Sequence, residues 1–554
     1  MALGSLPQPP VPESERARRK SLGAYYTAAP VVEFIVEWGL TQGGGVVMDP
    51  SCGDGRFLSA AACRGAQRLI GCDLDPGALQ AARMRLAGTA APACWHGGDF
   101  FLMSPERIGP VDLIVGNPPF IRYQRFSGES RCQALASALR VGARLSRLAA
   151  SWAPFLLHAM QFLRPGGAMG MVVPAELAQT TYGTETLRAL CGGFGRIRLI
   201  TFRRNWFEDA QQETFLLLAE GRGGSCGAAE LVPLARIDDL VGLTDRAVSN
   251  ASFRLGPEGH GRVGLAFVEP DCRELVQALG DRADVVTLCD LGDVANGYVS
   301  GANDFFHCTA ADGARRGLPA DWLLRVARNS RSLRGLAFVR GDIEHGECGG
   351  VAHHLVVPRE DDLFCADHGA LEAFKREGER LGIADRYKCR VREPWWRVPG
   401  LIQAQLLLPY MIGSEPHAAV NRCHALYPNS LHGLRLANPA IAERVALALL
   451  SNLSLLSMEL EGRSYGGGVL KLEPTEMQRV QLVVPSCPTQ ALVEAFHQAD
   501  QALRDGDFAA AVRVADELIL ERQLGLSVAE LDVLGRGRAA LVERRLSRSR
   551  HRAP

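Results

Sequence analysis

The sequence is organised around one ten-residue stretch, Val111-Asp112-Leu113-Ile114-Val115-Gly116-Asn117-Pro118-Pro119-Phe120. Its apolar first half predicts a buried strand. The two prolines predict that this strand ends in a stiff, extended loop, because proline cannot continue a hydrogen-bonded ladder. Such a loop presents the Asn117 amide and the Pro118 carbonyl as fixed acceptors beside the Phe120 ring. Two oxygens next to an aromatic face suit an exocyclic amine on a planar ring, although the same residues also fit an ordinary proline turn, so the context decides.

Length and composition predict a multidomain globular protein. The 554 residues exceed one compact core, and 47% hydrophobic with 22% charged residues is typical of globular chains. The formal net charge is zero, so any binding of nucleic acid depends on local basic patches. Fifteen scattered cysteines without an N-terminal signal segment predict a cytoplasmic protein. No apolar run reaches the roughly 18 residues of a membrane span.

A second motif lies upstream, where a short apolar strand runs into a glycine-containing loop. Asp49 ends this strand, Gly53 and Gly55 allow a ligand to approach the backbone closely, and a helix follows. The next strand ends at Asp73, roughly 20 residues further on, where nucleotide-binding α/β folds place an acid against ribose hydroxyls. A third acid, Asp99, follows two glycines. Each acid alone fits a turn or a cap, but the ordered series predicts a ligand at one edge of a sheet.

This ordered combination resembles the gamma-class N6-adenine DNA methyltransferases of the TaqI type. Their motif order is a threonine-containing segment, a glycine loop, an acid, Asp-Phe, Asn-Pro-Pro-aromatic and then a target-recognition domain. The resemblance implies an α/β fold, with a Rossmann-like class I methyltransferase domain and a C-terminal mixed α+β target-recognition domain. It also implies S-adenosylmethionine as the cofactor. The chain departs from the family pattern at Ala28, where proline is usual, and at Phe120, where tyrosine is usual; phenylalanine keeps the stacking face.

The resemblance also implies roles for single residues. Thr27 would contact the methionyl end of the cofactor, Asp73 would bind its ribose, and Asp99 with Phe100 would read and pack its adenine. A flipped base would stack between Phe120 and a second aromatic residue, assigned by spacing to Phe207 with Trp206 as a close rival. The predicted catalytic residues are therefore Asn117, Pro118, Phe120 and Phe207, and the predicted cofactor-binding residues are Thr27, Asp49, Gly53, Gly55, Asp73, Asp99 and Phe100.

Basic residues follow directly after the catalytic loop. Residues 121–150 contain six arginines and a single acid, Glu129. A solvated helix face is the usual explanation of such a run. Because this run leaves from the catalytic loop, it predicts contacts with DNA phosphates, and Arg122 and Arg125 are the predicted contacts nearest to the loop.

The second half contains three stretches that look like those of TaqI-type recognition domains. They are a Gly/Asn-rich turn at 295–306, a basic and aromatic stretch at 386–397 and a glycine loop at 464–474. Basic and aromatic side chains on loops can contact DNA backbone and base edges. The DNA-binding residues predicted from the second stretch are Lys388, Arg390, Arg392 and Trp396. A core tryptophan pair with a solvated rim is the alternative explanation of this stretch.

The predicted domains are a flexible basic arm at 1–22, a methyltransferase domain at 23–227, a connecting segment at 228–285, a target-recognition domain at 286–490 and a helical basic appendage at 491–554. His345, Cys348, Cys365 and His368 have a spacing compatible with a structural zinc site. Two further histidines blur that pattern and nothing else in the chain calls for a metal, so no metal site is assigned.

The sequence thus predicts a site-specific methyltransferase that modifies adenine N6 in double-stranded DNA, within a restriction-modification or phage-defence system. RNA and protein-glutamine amino methyltransferases share the Asn-Pro-Pro-Phe loop and stay open as alternatives, but neither readily explains so long a second half. Intact Asp49, Asp73, Asp99 and Asn117 argue against a non-catalytic DNA-binding subunit. Because the N-terminal arm contains no nuclease core, we expect a separately encoded restriction endonuclease or defence subunit as partner, and no membrane.

Overall fold

The structure is a computed structural model that describes residues 27–43, 45–121, 123–178, 180–202, 213–241, 243, 253–256, 262–359, 368–465 and 468–547. These residues form two compact units, the first ending at Phe267 and the second beginning at Val268. The predicted basic arm, Arg122, Trp206, Phe207 and Cys365 lie outside the described residues. Among the described helices, none is by itself long and apolar enough to cross a membrane.

The first unit alternates strands and helices around a nine-stranded sheet. Its helices are α1 (Ala29–Thr41), α2 (Arg56–Cys63), α3 (Pro76–Arg85), α4 (Pro105–Ile108), α5 (Gly128–Arg140), α6 (Trp152–Ala159) and α7 (Thr181–Cys191). Its strands are β1 (Val46–Asp49), β2 (Arg68–Asp73), β3 (Ala93–Gly97), β4 (Val111–Gly116), β5 (Leu163–Pro174), β6 (Phe194–Phe202), β7 (Thr214–Arg222), β8 (Ala229–Leu234) and β9 (Phe253–Leu255).

The strand order confirms the predicted Rossmann-like domain. The order is β3-β2-β1-β4-β5-β7-β6-β8-β9. Strands β3, β2, β1, β4 and β5 run parallel, whereas β7 is antiparallel to both of its neighbours, β5 and β6. Because the carboxyl ends of parallel strands meet at one edge, the loops after β1, β2, β3 and β4 are brought together there.

The central strands read as continuous apolar runs because both faces of the sheet are covered. Met48 pairs with Ile70 of β2 on one side and with Ile114 of β4 on the other. All three side chains are at most 1% exposed. Helix α1 adds a stripe at helical spacing that includes Val32 and Val36, both buried. Each such side chain contributes roughly 1.5–3 kcal/mol through burial, which stabilises the sheet edge that carries the loops.

The sheet continues past Gly227, where the sequence predicted the end of the methyltransferase domain. Strand β8 pairs parallel with β6, and β9 pairs antiparallel with β8. Ala229, Leu231 and Val232 are fully buried. Pro233 interrupts the apolar alternation and weakens the strand pattern in the sequence. The beginning of the predicted connecting segment therefore lies in the sheet of the first unit.

The second unit is a mixed α+β unit with four small sheets, ordered β11-β19-β16-β18-β14, β12-β15-β13, β17-β21-β20 and β10-β22. Its strands are β10 (Val286–Thr287), β11 (Gly292–Asn296), β12 (His307–Cys308), β13 (Leu323–Arg325), β14 (Ala337–Phe338), β15 (His354–Val356), β16 (Leu406–Pro409), β17 (Met411–Ile412), β18 (Ala419–Asn421), β19 (Leu431–Leu436), β20 (Arg463–Tyr465), β21 (Val469–Lys471) and β22 (Gln481–Leu482). Its helices are α8 (Pro270–Gly280), α9 (Leu288–Leu291), α10 (Asn303–Phe306), α11 (Ala310–Arg315), α12 (Arg340–Cys348), α13 (His368–Arg380), α14 (Tyr387–Arg390), α15 (Ala442–Ala448), α16 (Asn452–Glu461), α17 (Pro474–Met477), α18 (Thr489–Arg504), α19 (Phe508–Ala515) and α20 (Val528–Ser547).

The predicted C-terminal appendage is helical and forms part of the second unit. Arg545 of α20 is 2% exposed and bonds the carboxylate of Glu459, which is itself buried. The same guanidinium donates to the carbonyls of Gly413 and Gly468 at 2.7 and 2.5 Å. The hydrogen bonds of this buried guanidinium lead to one carboxylate and two main-chain carbonyls, so the last helix holds two loops of this unit together.

Candidate functional site

The ends of β1 and β2 bring two of the predicted acids to the glycine loop. The carboxylate of Asp73 accepts a hydrogen bond from the Gly53 N–H at 2.8 Å and another from the Asp75 N–H at 2.8 Å. Gly53 supplies this donor from a left-handed backbone conformation with φ of +51°, which glycine adopts without strain. Burial raises the pKa of Asp73, and these two N–H donors oppose the rise. The loop therefore orients the Asp73 carboxylate, and each of its two oxygens can accept a further hydrogen bond from a ligand.

Asp49 lies deeper, with 1% of its surface exposed. Burial raises the pKa of Asp49 well above its usual value, and the nearby carboxylates of Asp73 and Asp54 add to the rise. On its other side is Gly116, the last residue of β4, where an added Cβ would approach Asp49 Oδ1 to 2.7 Å. The missing side chain at Gly116 therefore allows the strand that leads into the predicted catalytic loop to pass directly beside this acid.

The predicted catalytic loop is adjacent to the glycine loop. The Ser51 hydroxyl donates to the main-chain carbonyl of Asn117 at 3.2 Å. The Asn117 side chain donates from Nδ2 to Oγ1 of Thr27 at 3.3 Å, and Thr27 is 4% exposed. Residues 27, 51 and 117 are far apart in sequence, and the fold joins them at one point. With Nδ2 directed to Thr27, the amide oxygen Oδ1 is on the other side of the group.

The remainder of the loop is anchored to the residue before α6. Pro118 is buried, and Phe120 is partly exposed. The Ser151 hydroxyl donates to the Pro119 carbonyl at 2.5 Å and accepts from the Ile121 N–H at 3.0 Å. Since the two prolines have no N–H groups of their own, these contacts provide the anchoring that the loop backbone cannot provide for itself.

Asp99 and Phe100 follow β3 at the same edge of the sheet. Asp99 caps a short 3-10 turn by accepting from the Phe101 N–H at 2.9 Å. Phe100 is 5% exposed, and its ring packs in the interior against the rings of Phe155, His158 and Phe162 at centroid distances of 4.7–5.1 Å. The contacts that the structure gives this ring are therefore core contacts, while its backbone belongs to the loop.

Two arginines that no sequence motif signalled also surround the glycine loop. Arg56, at the start of α2, pairs with Asp54 at 3.0 Å and donates to the main-chain carbonyl of Thr27 at 3.4 Å. Arg85 pairs with the same carboxylate at 2.7 Å. These ties fix the helix start against the segment at Thr27. The contacts of Arg56 with Thr27 and of Arg85 with Asp54 join residues that are distant in sequence, so sequence spacing carried no signal for them.

The arginine run after the catalytic loop divides into a structural and a surface part. Arg131 donates to the carbonyls of Tyr123 and Phe126 at 3.0 and 2.6 Å and so braces the turn that contains Arg125. Arg125 itself is exposed. The other arginines of the run, Arg140, Arg144 and Arg147, are also exposed.

Two of the three stretches predicted for recognition pack together in the second unit. Arg386 makes a two-pronged pair with Asp304 at 2.7 and 2.9 Å. Arg392 donates to the carbonyls of Val299 and Ser300 at 2.5 and 2.8 Å. The Gly/Asn-rich turn and α14 therefore form one surface. From this surface the side chains of Tyr387, Lys388 and Arg390 extend into solvent.

Trp396 requires a correction. The sequence predicted it as a DNA contact, but it is 7% exposed and belongs to the hydrophobic core of the second unit. Lys375 lies over its ring at 5.8 Å. The alternative explanation, a core tryptophan with a solvated basic rim, fits this position. Aromatic residues near basic ones build cores and interfaces alike, so the sequence pattern did not separate the two.

The four residues of the possible zinc site are only partly described. His345 and Cys348 lie three residues apart on α12, whereas Cys365 and the His368 side chain lie outside the described residues. The neighbouring histidines already have partners: His353 bonds the Val326 carbonyl and His354 bonds Glu347. Within the described part of the chain, no group of three or more His, Cys, Asp or Glu residues is arranged to hold a metal.

The residues at this sheet edge fit an adenosyl group with a charged tail. An added Cβ at Gly53 would meet no atom within 4 Å, so open space lies in front of the loop. Both oxygens of Asp73 are fixed by backbone donors and can still accept from vicinal ribose hydroxyls. Asp49 is a buried carboxylate close to that space, and a cationic ligand would favour its ionised form.

Two family models match the chain, one for each half. The family described as N-6 DNA Methylase matches residues 14–189, which include the sheet edge just described. The family described as the C-terminal domain of the Type II methyltransferase M.Eco57I matches residues 263–520. The two matches are consistent with the division of the described residues into two units.

The chain is also similar to individual methyltransferases. The chain is 25% identical over 477 residues to the Type II methyltransferase M.XamI of Xanthomonas campestris pv. amaranthicola, which covers 85% of this chain and 86% of the relative. It is 34% identical over 96 residues to the release factor glutamine methyltransferase of Mycolicibacterium smegmatis, a match to 17% of this chain and 34% of that protein. Among solved structures, the DrdV–DNA complex aligns over 88% of this chain and 58% of its own length, with a TM-score of 0.50 and 13% identity, which supports a shared fold.

Proposed function

We propose that this chain, an S-adenosylmethionine-dependent DNA methyltransferase of the restriction-modification type, transfers a methyl group to N6 of an adenine in double-stranded DNA. The observation that carries the proposal is the junction of three separate segments at Asn117. Ser51 holds its carbonyl, and Thr27 holds its side-chain nitrogen. The loop that would grip an amine is thereby adjacent to the loop that would grip the methyl donor.

The proposed chemistry requires positioning more than acid-base catalysis. Adenine N6 is a weak nucleophile because its lone pair is delocalised into the ring. The Asn117 Oδ1 and the Pro118 carbonyl would accept its two hydrogens, which favours a pyramidal nitrogen with its lone pair aimed along the direction of transfer. Dipoles that are fixed before reaction, and reactants held about 3–3.5 Å apart, supply most of the acceleration in such reactions.

The methyl donor, when bound, supplies an activated methyl group on a sulfonium. The transfer would form a bond from this methyl carbon to N6 and break its bond to sulfur, with the electron pair staying on sulfur. The N6 proton then leaves to solvent, so no strong base is needed in the protein. Asp73 and Asp49 would orient the cofactor, and Asn117 with Pro118 would orient the amine.

The adenine must leave the duplex, because N6 is not reachable by a loop of this kind inside the base stack. Flipping costs a few kcal/mol, which stacking in the pocket offsets. Phe120, partly exposed at the end of the catalytic loop, is the proposed stacking surface on one side. Phe207 stays our proposal for the other side, and it lies outside the described residues.

The surface beside the loop supports an anionic polymer as substrate. Arg125, Arg140, Arg144 and Arg147 are exposed on one segment that continues directly from the catalytic loop. Neutralising phosphates with arginines releases bound counterions and gives affinity that is independent of sequence. In the second unit, exposed Lys388 and Arg390 are the proposed additional contacts with DNA phosphates, which would fix the orientation of the protein on the duplex.

An RNA or protein-glutamine methyltransferase is the second candidate, since the same loop can hold an amide nitrogen. The short match to a release factor glutamine methyltransferase is the observation in its favour. It is confined to a small part of the chain, whereas the similarity to M.XamI extends through the second half. Methylation of a small protein does not require a second unit of this size, whereas recognition of a DNA sequence requires a further binding surface.

The test is to sequence DNA from cells that express the chain, with a single-molecule method that detects modified bases, and to incubate the purified protein with labelled S-adenosylmethionine and duplex DNA, RNA or a protein extract. We expect N6-methyladenine within one short sequence context and label transferred to the duplex. Label in RNA or protein with none in DNA would contradict the proposal. Methylation of cytosine N4 instead of adenine N6 would contradict the proposed target base but not the proposed transfer of methyl groups to DNA. If methylation protects this context from a separate restriction endonuclease, cleavage assays will show it.

A further inference from the structure

Helix α6 touches both of the loops that would hold the two reactants. It is eight residues long, and every one of its residues is buried. Ser151 precedes the helix and meets the loop of Asn117, while His158 near its end meets the loop of Asp99. Neither residue was signalled by a motif in the sequence, and neither is assigned a role in the proposed function.

Ser151 contacts the catalytic loop three times. Its N–H donates to the Ile121 carbonyl at 3.0 Å, its hydroxyl oxygen accepts from the Ile121 N–H at 3.0 Å, and its hydroxyl donates to the Pro119 carbonyl at 2.5 Å. The bonded residues lie immediately before and after Phe120. Ser151 is 1% exposed, so water does not compete for these bonds. The orientation of the Phe120 backbone is therefore set by this one residue from both sides.

His158 contacts the other loop through a fixed tautomer. Its Nε2 lies 3.0 Å from the Phe100 carbonyl, which can only accept, so Nε2 carries the hydrogen. Its Nδ1 lies 2.7 Å from the Ser137 hydroxyl, which therefore donates to it. Burial lowers the pKa of His158 to about 4, with a further small effect of Arg140 in the same direction, so the ring is neutral near pH 7.

Two further side chains, those of Ser137 and Gln161, continue the hydrogen-bonded chain beyond His158. Gln161 donates from Nε2 to the Ser137 hydroxyl oxygen at 2.7 Å and to the Leu157 carbonyl at 2.9 Å. Ser137 of α5 is fully buried. The chain of donors thus runs from Gln161 through Ser137 and His158 to the Phe100 carbonyl. Because His158 and Ser137 are buried, water does not compete for these hydrogen bonds, and they hold the Phe100 carbonyl in place.

The two contact residues lie on one face of the helix. They are seven residues apart, which is close to two turns and corresponds to a rise of about 10 Å along the axis. A helix that is buried on all sides cannot shift without opening its packing. The distance between the two loops is therefore fixed by the length of α6 and not only by the sheet.

We propose that α6 is a spacer that sets the distance between the amine-binding loop and the cofactor-adenine loop, with Ser151 and His158 as the positioning residues at its two ends. The inference rests on the proposed function, because it assigns the two loops to acceptor and donor. Transfer requires the reacting atoms within a few tenths of an ångström of their best separation, and a misplacement of about 1 Å can cost about 100-fold in rate.

The two ends predict different kinetic effects. Ser151→Ala removes two of the three bonds to the catalytic loop, so we expect kcat with duplex DNA to fall about 10- to 100-fold, while the Kd for S-adenosylmethionine changes less than about twofold. His158→Phe keeps a buried ring and removes the bond to the Phe100 carbonyl, so we expect the cofactor Kd to rise about 10-fold. His158→Gln, whose amide nitrogen can reach the same carbonyl, should restore most of the affinity.

Kd is measured by calorimetry on the full chain without nucleic acid, and kcat by single-turnover transfer of labelled methyl groups. Ser146→Ala is the matched control, because this exposed serine precedes the same helix and its hydroxyl accepts from the nearby Leu148 N–H and not from either loop among the described residues. It should leave both quantities unchanged. If Ser151→Ala does not fold, Ser151→Cys, which has a similar shape and a weak donor, takes its place, and His158→Asn does the same for His158→Phe.

The inference is overturned if the Ser151 variant loses cofactor affinity as strongly as rate, if the His158 variant binds the cofactor normally, or if glutamine does not restore binding. A loss of thermal stability with normal kinetics of the folded protein would also overturn it, because the residues would then be structural only. The cofactor measurement does not depend on the substrate. A wild-type chain that binds S-adenosylmethionine normally and methylates no DNA would contradict the proposed function and leave the His158 result to stand by itself.

Discussion

The two units of this chain place their predicted functional residues in different ways. In the first unit, Thr27, Asp49, Asp73 and Asn117, spread over ninety residues, meet at one edge of one sheet. In the second unit, the predicted stretches divide between core and surface, and Trp396 in particular is buried. The difference indicates that topology brings together residues at the carboxyl ends of parallel strands, whereas the exposure of a residue in the second unit depends on local packing.

The physical reason is the parallel sheet. Strands β1, β2 and β4 are neighbours in the sheet, and their carboxyl ends share an edge, so a residue that follows any of them is placed there whatever its side chain. In the described part of the second unit, the four small sheets are paired mostly antiparallel, so strand ends of the same kind do not collect at one edge. In the second unit, local packing decides whether a side chain faces solvent or the core. A sequence of alternating aromatic and basic residues does not indicate which of them are exposed.

The largest predicted effect tests the first half of this comparison. Asn117→Ala removes the amide oxygen that would accept from the amine, so we expect methyl transfer to fall by about 1000-fold. Cofactor affinity should change less than about threefold, because Asp73 and the glycine loop, which would hold the cofactor, keep their own hydrogen bonds in this variant. The measurements are single-turnover transfer to duplex DNA and calorimetric binding of S-adenosylmethionine. Wild-type activity in this variant would show that the proline-containing loop is not the catalytic one.

The sequence predicted the main strands of the first unit and the sheet edge for a ligand, because apolar runs, glycines and acids at strand ends are all recognisable in the sequence. It also required the proline loop to lie beside the glycine loop, and the Ser51–Asn117 bond meets that requirement. It missed Ser51, Ser151 and His158. Ser151 occupies a typical capping position, but its hydroxyl bonds the catalytic loop and not its own helix.

The domain boundary and the residues of the second unit were harder to predict from the sequence, because both depend on contacts that leave no clear sequence pattern. Strand β8 contains Pro233, so its pattern did not indicate a strand, and the predicted end of the first domain came too early. Arg392 was predicted to contact DNA from its place in a basic run, and the structure uses its guanidinium to hold two main-chain carbonyls. A bond to a main-chain carbonyl cannot be predicted from residue types, because every residue has a main-chain carbonyl.

The next prediction tests the second half of the comparison. Trp396→Ala should lower the free energy of unfolding of the second unit by about 3–5 kcal/mol, because a large side chain leaves a cavity in the core. Denaturation by urea measures it. Tyr387→Ala is the control from the same stretch, since Tyr387 is 66% exposed, and we expect a change within about 0.5 kcal/mol. A stable Trp396→Ala protein with weakened DNA binding would restore the original prediction and contradict the core assignment.

The smallest predicted effect concerns the solvated rim. Lys388→Ala and Arg390→Ala should each weaken binding to duplex DNA about 3- to 10-fold and reduce the slope of log affinity against log salt by about one, because each removes one phosphate contact. Binding is measured by fluorescence anisotropy across a salt series. Arg315→Ala is the matched control, since Arg315 is 77% exposed in the same unit but is already paired with Asp312.

This comparison separates position from total charge. All three variants lose one positive charge, so a general electrostatic attraction would weaken equally in each of them. A contact surface on α14 predicts a loss at Lys388 and Arg390 and an unchanged slope at Arg315. Equal losses at all three positions would contradict the assignment of this surface. The recognition residues of the second unit would then have to be sought elsewhere, with the glycine loop that Arg545 ties at Gly468 as the next place to substitute.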